Sequence, residues 1–282
     1  PINDSINGVT DAIRSKEYEL RNELYFFILS SLGLRVPRVH LEARLVFENN
    51  TTKKREIRKL VEEKKIEGYD DPRLLTIKGL RRRGIDPEAI RRFVLRFGLS
   101  KTDAKVNIRM LLDENRKIID KKARRLFAVI DPVEVEIEDG SETARIPFHP
   151  TENMGYRVYE IKGKVFVSKK DIEARKRGDV ISLMNLYEIM IKETGDFIKA
   201  ARVESKERHD PVQWVGENGV RVNLAFIGDL LKDGRFNEES IKNVAAVCEP
   251  SILGIDEGSI IQLERIGFFR LDSKESLSLI SL

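Results

Sequence analysis

The feature that most constrains this fold is a change in hydrophobic period close to Arg125. Before it, apolar residues recur at helical spacing, as in the helix expected between the start signal Asp86-Pro87 and Gly98. After it, VEVEIED alternates strictly from Val133, and further short segments of this kind follow at regular spacing. The chain is therefore expected to contain a helical part followed by a β-sandwich or one or two barrels.

The first 50 residues mix helix and strand patterns and are expected to be α/β. Residues 43–48, ARLVFE, predict a short strand. The segment from Glu17 to Leu32 predicts one amphipathic helix. The apolar stripe of that helix is Leu20, Leu24, Phe27 and Ile28.

Residues 68–85, GYDDPRLLTIKGLRRRGI, carry helix start and stop signals beside a basic run. Asp71-Pro72 predicts one helix start, and Gly84 offers the left-handed exit. A further helix is expected from about Ser100 to Ile119, so that the whole region reads as helical. Three consecutive arginines are expected to fan over one broad face: Arg81, Arg82 and Arg83.

Charge is unevenly distributed along the chain. Residues 51–125 hold 24 Lys+Arg against 12 Asp+Glu, whereas the whole chain carries only +4. A charge run is often a solvated, salt-bridged surface. A basic block inside a chain that is acidic elsewhere also indicates contact with a polyanion.

Composition narrows the class of protein. With 282 residues and 41% hydrophobic content, the chain can bury two or three cores. No apolar run is long enough for a membrane helix, so no membrane partner is expected. Cys248 is the single cysteine, which excludes an internal disulfide and suits a reducing cytoplasm. The three histidines stand at isolated positions, so no protein metal site is expected.

The run G-Y-D-D-P-R…L-R-R-R-G resembles a signature of the glutamyl- and glutaminyl-tRNA synthetases of the archaeal and eukaryotic class I type. The resemblance extends from PINDSINGVTDAIRSKEY to GFFRLD. It implies a multidomain chain: the C-terminal half of an α/β nucleotide-binding catalytic domain at 1–58, an all-α tRNA stem-contact domain at 59–122, a proximal anticodon-binding β-barrel at 123–202 with 251–275, and a distal anticodon-binding β-barrel at 203–250.

The resemblance covers the C-terminal portion of those enzymes. The chain starts at Pro1 without methionine, and the first ATP signature of the family, an H-x-G-H turn, is absent from its sequence. We therefore expect a fragment that starts inside a domain.

A second ATP signature of the family is a loop of MSKR type. Its place is taken here by residues 52–55, TKKR. The resemblance implies ATP, accompanied by Mg²⁺, bound by Arg44, Thr52, Lys53 and Lys54. It also implies that Lys54 and Arg55 neutralise charge on the leaving pyrophosphate.

The resemblance also implies an amino-acid site made by Arg14, Tyr18 and Asp4. Arg14 matches an arginine of the glutamyl enzymes, where glutaminyl enzymes carry a small neutral residue. A guanidinium can hold a γ-carboxylate through two hydrogen bonds, which favours glutamate as the substrate. The alternative interpretation is an exposed arginine in a loop.

In the β half, Arg125, Gln262 and Arg265 match family positions that hydrogen-bond anticodon bases, and Arg81 to Arg83 are expected on the tRNA backbone. The alternative is that each is an ordinary surface side chain. Trp214 and the Phe268-Phe269 pair could stack on bases, but their strand patterns favour the barrel core.

The resemblance thus implies a glutamate–tRNA ligase present as a C-terminal tRNA-binding fragment, monomeric and inactive alone, with tRNA, glutamate and ATP as partners. One alternative is a non-catalytic tRNA-binding paralogue or module. It is supported by the missing first signature and by departures from the family pattern at Asp11, Leu20, Thr52 and Lys53. The second alternative is a glutaminyl-tRNA synthetase, opposed mainly by Arg14.

Overall fold

The computed structural model describes residues 1–195, 197–205 and 209–282. The first 50 residues form a small α/β unit in which the first two strands pair in parallel, from Asp11 beside Arg38 to Ser15 beside Glu42. A short 3-10 helix, Lys16–Arg21, precedes the second helix. The elements of this unit are α1 (Ile2–Ile6), β1 (Asp11–Ser15), α2 (Asn22–Ser31), β2 (Arg38–Glu42) and β3 (Leu45–Phe47).

The buried face of α2 differs from the predicted stripe. Tyr25 and Leu29 point inward and are 3% and 0% exposed, whereas Leu20, Leu24 and Phe27 are 92%, 60% and 68% exposed. The prediction of one helix over residues 17–32 is wrong over its first part, because Leu20 lies in the 3-10 helix and α2 begins only at Asn22. The inward side of α2 is set by what the helix packs against. Within this chain, that is the side carrying Tyr25.

The middle of the chain contains four helices and one strand: α3 (Lys54–Glu62), α4 (Ile77–Arg82), α5 (Pro87–Leu95), β4 (Ala104–Val106) and α6 (Ile108–Ile119). The strand β4 pairs in parallel with β3, Leu45 beside Ala104. The expected helix from Ser100 is therefore wrong over its first part. Helix α6 begins only after Asn107, whose side chain accepts from the backbone N–H of Arg109 at 2.9 Å.

Of the two Asp-Pro start signals, one is confirmed and one is wrong. Asp86 caps α5 by accepting from the Glu88 N–H at 2.9 Å, with Pro87 in the first turn. Asp71 instead lies buried beside Arg73, with an Nη2–Oδ2 distance of 2.7 Å. The cap of α4 is Thr76, which accepts from the Gly79 N–H at 2.9 Å.

The β half begins with β5 (Arg124–Leu126) and β6 (Ala128–Ile130), separated only by Phe127. The first large sheet has the order β12-β9-β10-β11-β7-β8-β13. Its strands are β7 (Pro132–Pro147), β8 (Tyr156–Ser168), β9 (Val180–Leu183), β10 (Glu188–Glu193), β11 (Ile198–Val203), β12 (Pro211–Val212) and β13 (Trp214–Gly216), with a short helix α7 (Lys169–Ile172) after β8.

The second large sheet has the order β5-β18-β19-β20-β14-β17-β6. Its later strands are β14 (Val220–Ile227), β17 (Ile241–Cys248), β18 (Ile260–Leu263), β19 (Gly267–Ser273) and β20 (Ser276–Ser281). A small hairpin, β15 (Leu231–Lys232) with β16 (Arg235–Phe236), lies between β14 and β17, and a 3-10 helix, Pro250–Gly254, follows β17.

Both sheets are nearly closed barrels for the same reason. The two edge strands of the first sheet, β12 and β13, are joined through Gln213 alone, and those of the second sheet, β5 and β6, through Phe127 alone. A chain that supplies both edges of a sheet from adjacent residues brings those edges together. The sequence analysis predicts a separate distal barrel at residues 203–250. Strand pairing instead places residues 220–248 in one barrel with residues 124–130 and 260–281.

The barrels and the helices share buried apolar contacts. Trp214 packs in the first sheet and Phe269 in the second, and both are at most 1% exposed, which confirms that they belong to the core. Phe268 is also buried, but it faces the helices, where it meets a cluster that includes Phe93 and Leu111. The helical part therefore rests directly on β19 and β20.

Candidate nucleic-acid interface and amino-acid pocket

A basic hollow lies where the helices meet the second sheet. Its volume is about 720 Å³. Side chains from the end of α5, from one face of α6, from β5 and from β18 line it: Arg96, Asp113, Arg116, Lys117, Asp120, Arg125 and Gln262. We call it the basic hollow. Four of these seven side chains are cationic, which suits a phosphate-rich ligand.

Helix geometry explains why α6 and the residue that directly follows it contribute four of these side chains. Arg116 and Lys117 follow Asp113 by three and four residues, and Asp120 follows them by four and three, so the four side chains share one face. Glu114 on the same helix holds two of the cations, with its Oε1 at 2.8 Å from both Arg96 and Lys117. These pairs lower the pKa of Glu114, first of all through its hydrogen bond with Lys117. Glu114 thus pairs with two of the four cations that line the hollow.

Strand pairing brings two residues expected to read anticodon bases into this hollow. Gln262 on β18 is the direct neighbour of Arg125 on β5. The Arg125 guanidinium is 3.3 Å from Asp120 Oδ1 through Nη2, while its Nε has no hydrogen-bond partner among the described residues. The side-chain oxygen of Gln262 is likewise without one. Each side chain keeps hydrogen-bonding capacity that the protein does not use.

The third expected base-reading residue lies elsewhere. Arg265 sits in the turn after β18 with a φ of 61° and donates through Nη1 to the Pro211 carbonyl at 2.7 Å. A second nitrogen is 4.0 Å from Asp171. Arg265 therefore links the second barrel to the first through a hydrogen bond, although about half of its side chain remains exposed.

The three consecutive arginines do not share one exposed face. Arg81 is exposed, and Arg82 lies 3.4 Å from both Glu67 and Asp70. Arg83 is only 4% exposed and points between the helices and the second sheet. Because successive helical residues diverge by about 100°, a helix packed on one side necessarily buries part of such a run. The expectation of one broad basic face is therefore wrong for Arg83.

The residues expected to bind the amino acid come together near the start of the chain. Arg14 and Tyr18 line one pocket of about 440 Å³ with Arg21, Leu24 and Tyr25. Asp4 joins them through its carboxylate, 3.5 Å from Arg14 Nη2 and 2.8 Å from the Tyr25 hydroxyl, which donates to it. Burial and this acceptor raise the pKa of Tyr25. The Arg14 guanidinium also lies over the Tyr25 ring, 3.7 Å from its centroid.

The residues expected to bind ATP lie outside this pocket, at two different places. Thr52 to Arg55 are exposed at the start of α3, where Lys53 pairs with Glu56 at 2.8 Å. Arg44 pairs with Glu17 and is well exposed. The described side chains that line the Arg14 pocket all lie between Pro1 and Ile28, so none of the residues expected to bind ATP lines it.

Sequence reasoning missed several residues of the basic hollow, namely Arg96, Arg116 and Lys117. The local excess of positive charge did point to their segment. Which of its many cations converge depends on how α5 and α6 pack on the second sheet, and no local pattern gives that.

Across residues 1–195, 197–205 and 209–282, no group of three His, Cys, Asp or Glu side chains is arranged to hold a metal ion. None of the helices in those ranges combines the length and apolar character that a membrane span requires.

Comparison with known families accounts for almost the whole chain. Residues 1–123 match the catalytic domain of class I (E and Q) tRNA synthetases, and residues 123–205 and 211–272 match two anticodon-binding domains of the same class. The chain therefore belongs to the class I (E and Q) tRNA synthetases.

Individual relatives that align with nearly the whole chain are named glutamate–tRNA ligase. A glutamate–tRNA ligase from Cenarchaeum symbiosum is 41% identical over 97% of this chain, and one from Nitrosopumilus maritimus is 38% identical over 97%. One from Pyrococcus furiosus is 36% identical over the full chain. In each case the alignment covers 49% of the relative, so the chain spans about half the length of these curated relatives.

Proposed function

We propose that this chain is the tRNA-binding half of a glutamate–tRNA ligase, an enzyme that joins glutamate to tRNA with ATP. The observation that carries the proposal is the basic hollow, in which Arg125 and Gln262 retain unused hydrogen-bonding atoms beside three further cations. Backbone phosphates of RNA require such cations, and exposed base edges require such polar side chains. The names of the relatives favour glutamate over glutamine and a ligase over a non-catalytic module.

In this proposal the parts of the chain have different tasks. Arg116, Lys117 and Arg81 contact phosphates, while Arg125 and Gln262 contact bases. Arg265 holds the two barrels in register through the Pro211 carbonyl and is available to bases through its exposed half. Residues 59–122 serve as the stem-contact region, and they hold 18 Lys+Arg against 11 Asp+Glu.

The Arg14 pocket is proposed as the amino-acid site. Its guanidinium would hold the γ-carboxylate of glutamate, and Asp4 would attract the α-amino group. Tyr25 positions both residues, since its hydroxyl donates a hydrogen bond to Asp4 and its ring stacks against the Arg14 guanidinium. Tyr18 forms one wall of the same pocket.

ATP fits the residues at the start of α3. Lys54 and Arg55 are exposed and adjacent, so they would meet phosphate groups, with Thr52, Lys53 and Arg44 nearby in sequence. ATP, with its Mg²⁺, would supply the phosphoryl centre that glutamate attacks. Arg44 would first have to leave Glu17, because the two side chains pair in this structure.

The proposal also includes a cellular location and an oligomeric state for the protein. We infer action in the cytoplasm, where tRNA is charged; a relative from Encephalitozoon cuniculi, 33% identical over 96% of this chain, carries that word in its name. We also infer that the chain works as a monomer.

Titration of cognate and non-cognate tRNA at three salt concentrations tests the proposal. Arg116→Ala should weaken all tRNAs alike and reduce the slope of log K against log salt by about 0.7–0.9. Arg125→Ala and Gln262→Ala should each cost roughly 1–3 kcal/mol for cognate tRNA and little for others. Arg145→Ala, an exposed arginine on the first barrel, serves as the control. Absence of tRNA binding by the unmodified chain would overturn the proposal.

A further inference from the structure

A second concave site lies beside the basic hollow, between the helices and the second barrel. This cleft has a volume of about 530 Å³, within the range of ~300–1,000 Å³ that small-molecule pockets occupy. Its polar lining comprises Asn50, Arg83, Arg109, Asp113, Asp229 and Ser281, and the remaining wall is apolar. We call it the Arg83 cleft. It shares Asp113 with the basic hollow, so the two sites are contiguous.

Two buried polar side chains in this cleft lack partners. Arg83 is 4% exposed, and its Nε has no hydrogen-bond partner among the described residues. Ser281 is 6% exposed, and its hydroxyl is also without one. Buried polar groups are nearly always hydrogen-bonded, and a buried charge without a partner is especially costly. Two such groups on one cleft therefore point to a ligand that supplies oxygen atoms.

The electrostatic surroundings of Arg83 are consistent with this. No described carboxylate forms an ion pair with it, and Asp229 acts on it only from a distance. Burial lowers the pKa of Arg83 to about 10, so the group is still cationic at neutral pH. A guanidinium in such a site has its full hydrogen-bonding fork available for an anion.

The other polar groups define what kind of anion fits. Arg109 adds a second cation at the mouth of the cleft, whereas Asp113 and Asp229 add two carboxylates. Carboxylates repel a ligand that is anionic throughout but accept hydrogen bonds from sugar hydroxyls. The apolar wall, with Ile108, Leu112 and Ile227 among its members, suits the face of a ring. Phosphate, hydroxyl-bearing sugar and flat ring together describe a ribonucleotide.

We propose that the Arg83 cleft binds one ribonucleoside monophosphate unit, with its phosphate on Arg83 and Ser281 and its ribose hydroxyl on Asp229. The unit comes either from a bound RNA strand or from a free nucleotide, because the recognised chemistry is the same. The RNA source rests on the proposed function, since the strand would enter from the basic hollow. The free-nucleotide source does not depend on it.

Calorimetric titration of the purified chain with 5′-UMP, 2′-deoxy-UMP, uridine and inorganic phosphate tests the site. We expect 5′-UMP to bind most tightly, phosphate and the deoxynucleotide to bind more weakly, and uridine not to bind measurably. Arg83→Gln should weaken 5′-UMP by roughly 10- to 100-fold, the range for a charge-assisted hydrogen bond. Ser281→Ala should weaken it less. Lys78→Gln is the control, since Lys78 is an exposed cation on α4 to which neither proposal gives a role.

Folding is checked with the same variants. Removing an unpaired buried cation should leave the melting temperature of Arg83→Gln unchanged or raise it, so a loss of binding would not reflect unfolding. Equal 5′-UMP affinity in Arg83→Gln and the unmodified chain would overturn the site, as would equal binding of uridine and 5′-UMP.

Titration with tRNA separates the two sources and keeps the proposals apart. If Arg83→Gln weakens both 5′-UMP and tRNA, the bound unit belongs to RNA. If it weakens 5′-UMP alone, the unit is a free nucleotide and the site stands. If the unmodified chain binds no tRNA, the proposed function fails, whereas the 5′-UMP titration still decides the Arg83 cleft.

Discussion

Arg157 and Glu249 form a buried ion pair that joins the two barrels, with Nε 3.1 Å from Oε1 and side chains 0% and 1% exposed. Arg157 belongs to β8 of the first barrel, whereas Glu249 directly follows β17 of the second. The second oxygen of Glu249 accepts from the backbone N–H of Phe127 at 2.8 Å. The pair therefore lies at the residue that closes the second barrel.

At pH 8, where Glu249 is ionised, Arg157→Met is expected to destabilise the chain by about 3–5 kcal/mol, because it leaves a buried carboxylate without its cation. Arg202→Met removes an arginine from an ion pair with Glu142 that is about 40% exposed on both sides. That control should cost no more than about 1 kcal/mol. Urea unfolding measures the free energy of unfolding of both variants. An equal loss in Arg157→Met and Arg202→Met would mean that burial of the Arg157 pair does not affect its contribution to stability.

Stability should fall as pH rises toward neutrality. Burial raises the pKa of Glu249 from its ordinary 4.5 to about 7, against the attraction of Arg157. The folded chain therefore holds this proton more tightly than the unfolded chain. The stabilisation that protonated Glu249 gives to the folded chain is fully present below about pH 4.5 and is lost as pH rises to about 7. Its size is on the order of 3 kcal/mol.

Glu249→Gln removes this titration and is the control for it. We expect the free energy of unfolding of the unmodified chain to decline between pH 5 and 7 relative to this variant, and to run parallel to it above pH 8. Parallel curves over the whole range would show that Glu249 titrates normally.

Gly79→Ala should destabilise the chain although alanine favours helices. A Cβ on Gly79 would lie 2.6 Å from the Asp71 carbonyl oxygen and 2.7 Å from that of Leu74, so the backbone of the preceding turn must move. We expect a loss of about 1–3 kcal/mol by thermal unfolding. At Gly254, where a Cβ would meet nothing within 4 Å, alanine should change stability by less than about 0.5 kcal/mol. A stabilising Gly79→Ala would contradict the close packing of this turn.

Arg14→Gln tests the amino-acid pocket in a longer protein that contains this chain. Loss of the guanidinium should lower kcat/KM for glutamate by roughly 10- to 100-fold relative to glutamine, since a charge-assisted hydrogen bond contributes about 1.5–3 kcal/mol. Arg38→Gln, which alters an arginine 77% exposed on the neighbouring strand, should leave the ratio unchanged. A ratio that is the same in both variants would place substrate recognition elsewhere.

This chain alone should not catalyse glutamate-dependent ATP–pyrophosphate exchange, because its sequence lacks the H-x-G-H turn. The exchange assay with the purified chain checks this directly. Exchange at the rate of an ordinary synthetase would mean that residues 52–55 and Arg44 suffice to bind ATP productively. The matched sample is the same chain with Lys54→Ala, which should lower any exchange that is seen.

Local signals in the sequence predicted local structure well. The switch of period near Arg125 marks the start of β5, and Asp86-Pro87 begins α5 as expected. Gly84 ends α4 with a φ of 86°. These features depend on backbone preferences and capping, which act within a few residues.

Features that depend on packing between distant segments were not predictable. The inward side of α2 was assigned to Leu24 and Phe27, yet Tyr25 and Leu29 occupy it. Arg83 is buried because α4 lies against β20, where the Cβ of any residue replacing Gly84 would be 2.8 Å from Ile280. The pairing of Gln262 with Arg125 likewise depends on a strand that follows much later in the chain. The spacing of apolar residues shows that a helix or strand has an apolar face, but it does not show which element of the fold packs against that face.

The joining of both edges of the second barrel through Phe127 has a consequence during synthesis. All strands of the first barrel, β7 to β13, are complete once Gly216 has left the ribosome. The second barrel has its two edge strands made first and its central strand, β20, made last. The first barrel can thus fold while the nascent chain is still growing, whereas β5 and β6 must wait for the remaining strands. A ribosome that stops before Ser276 releases a chain with a finished first barrel and an open second sheet, whose unpaired edges invite aggregation.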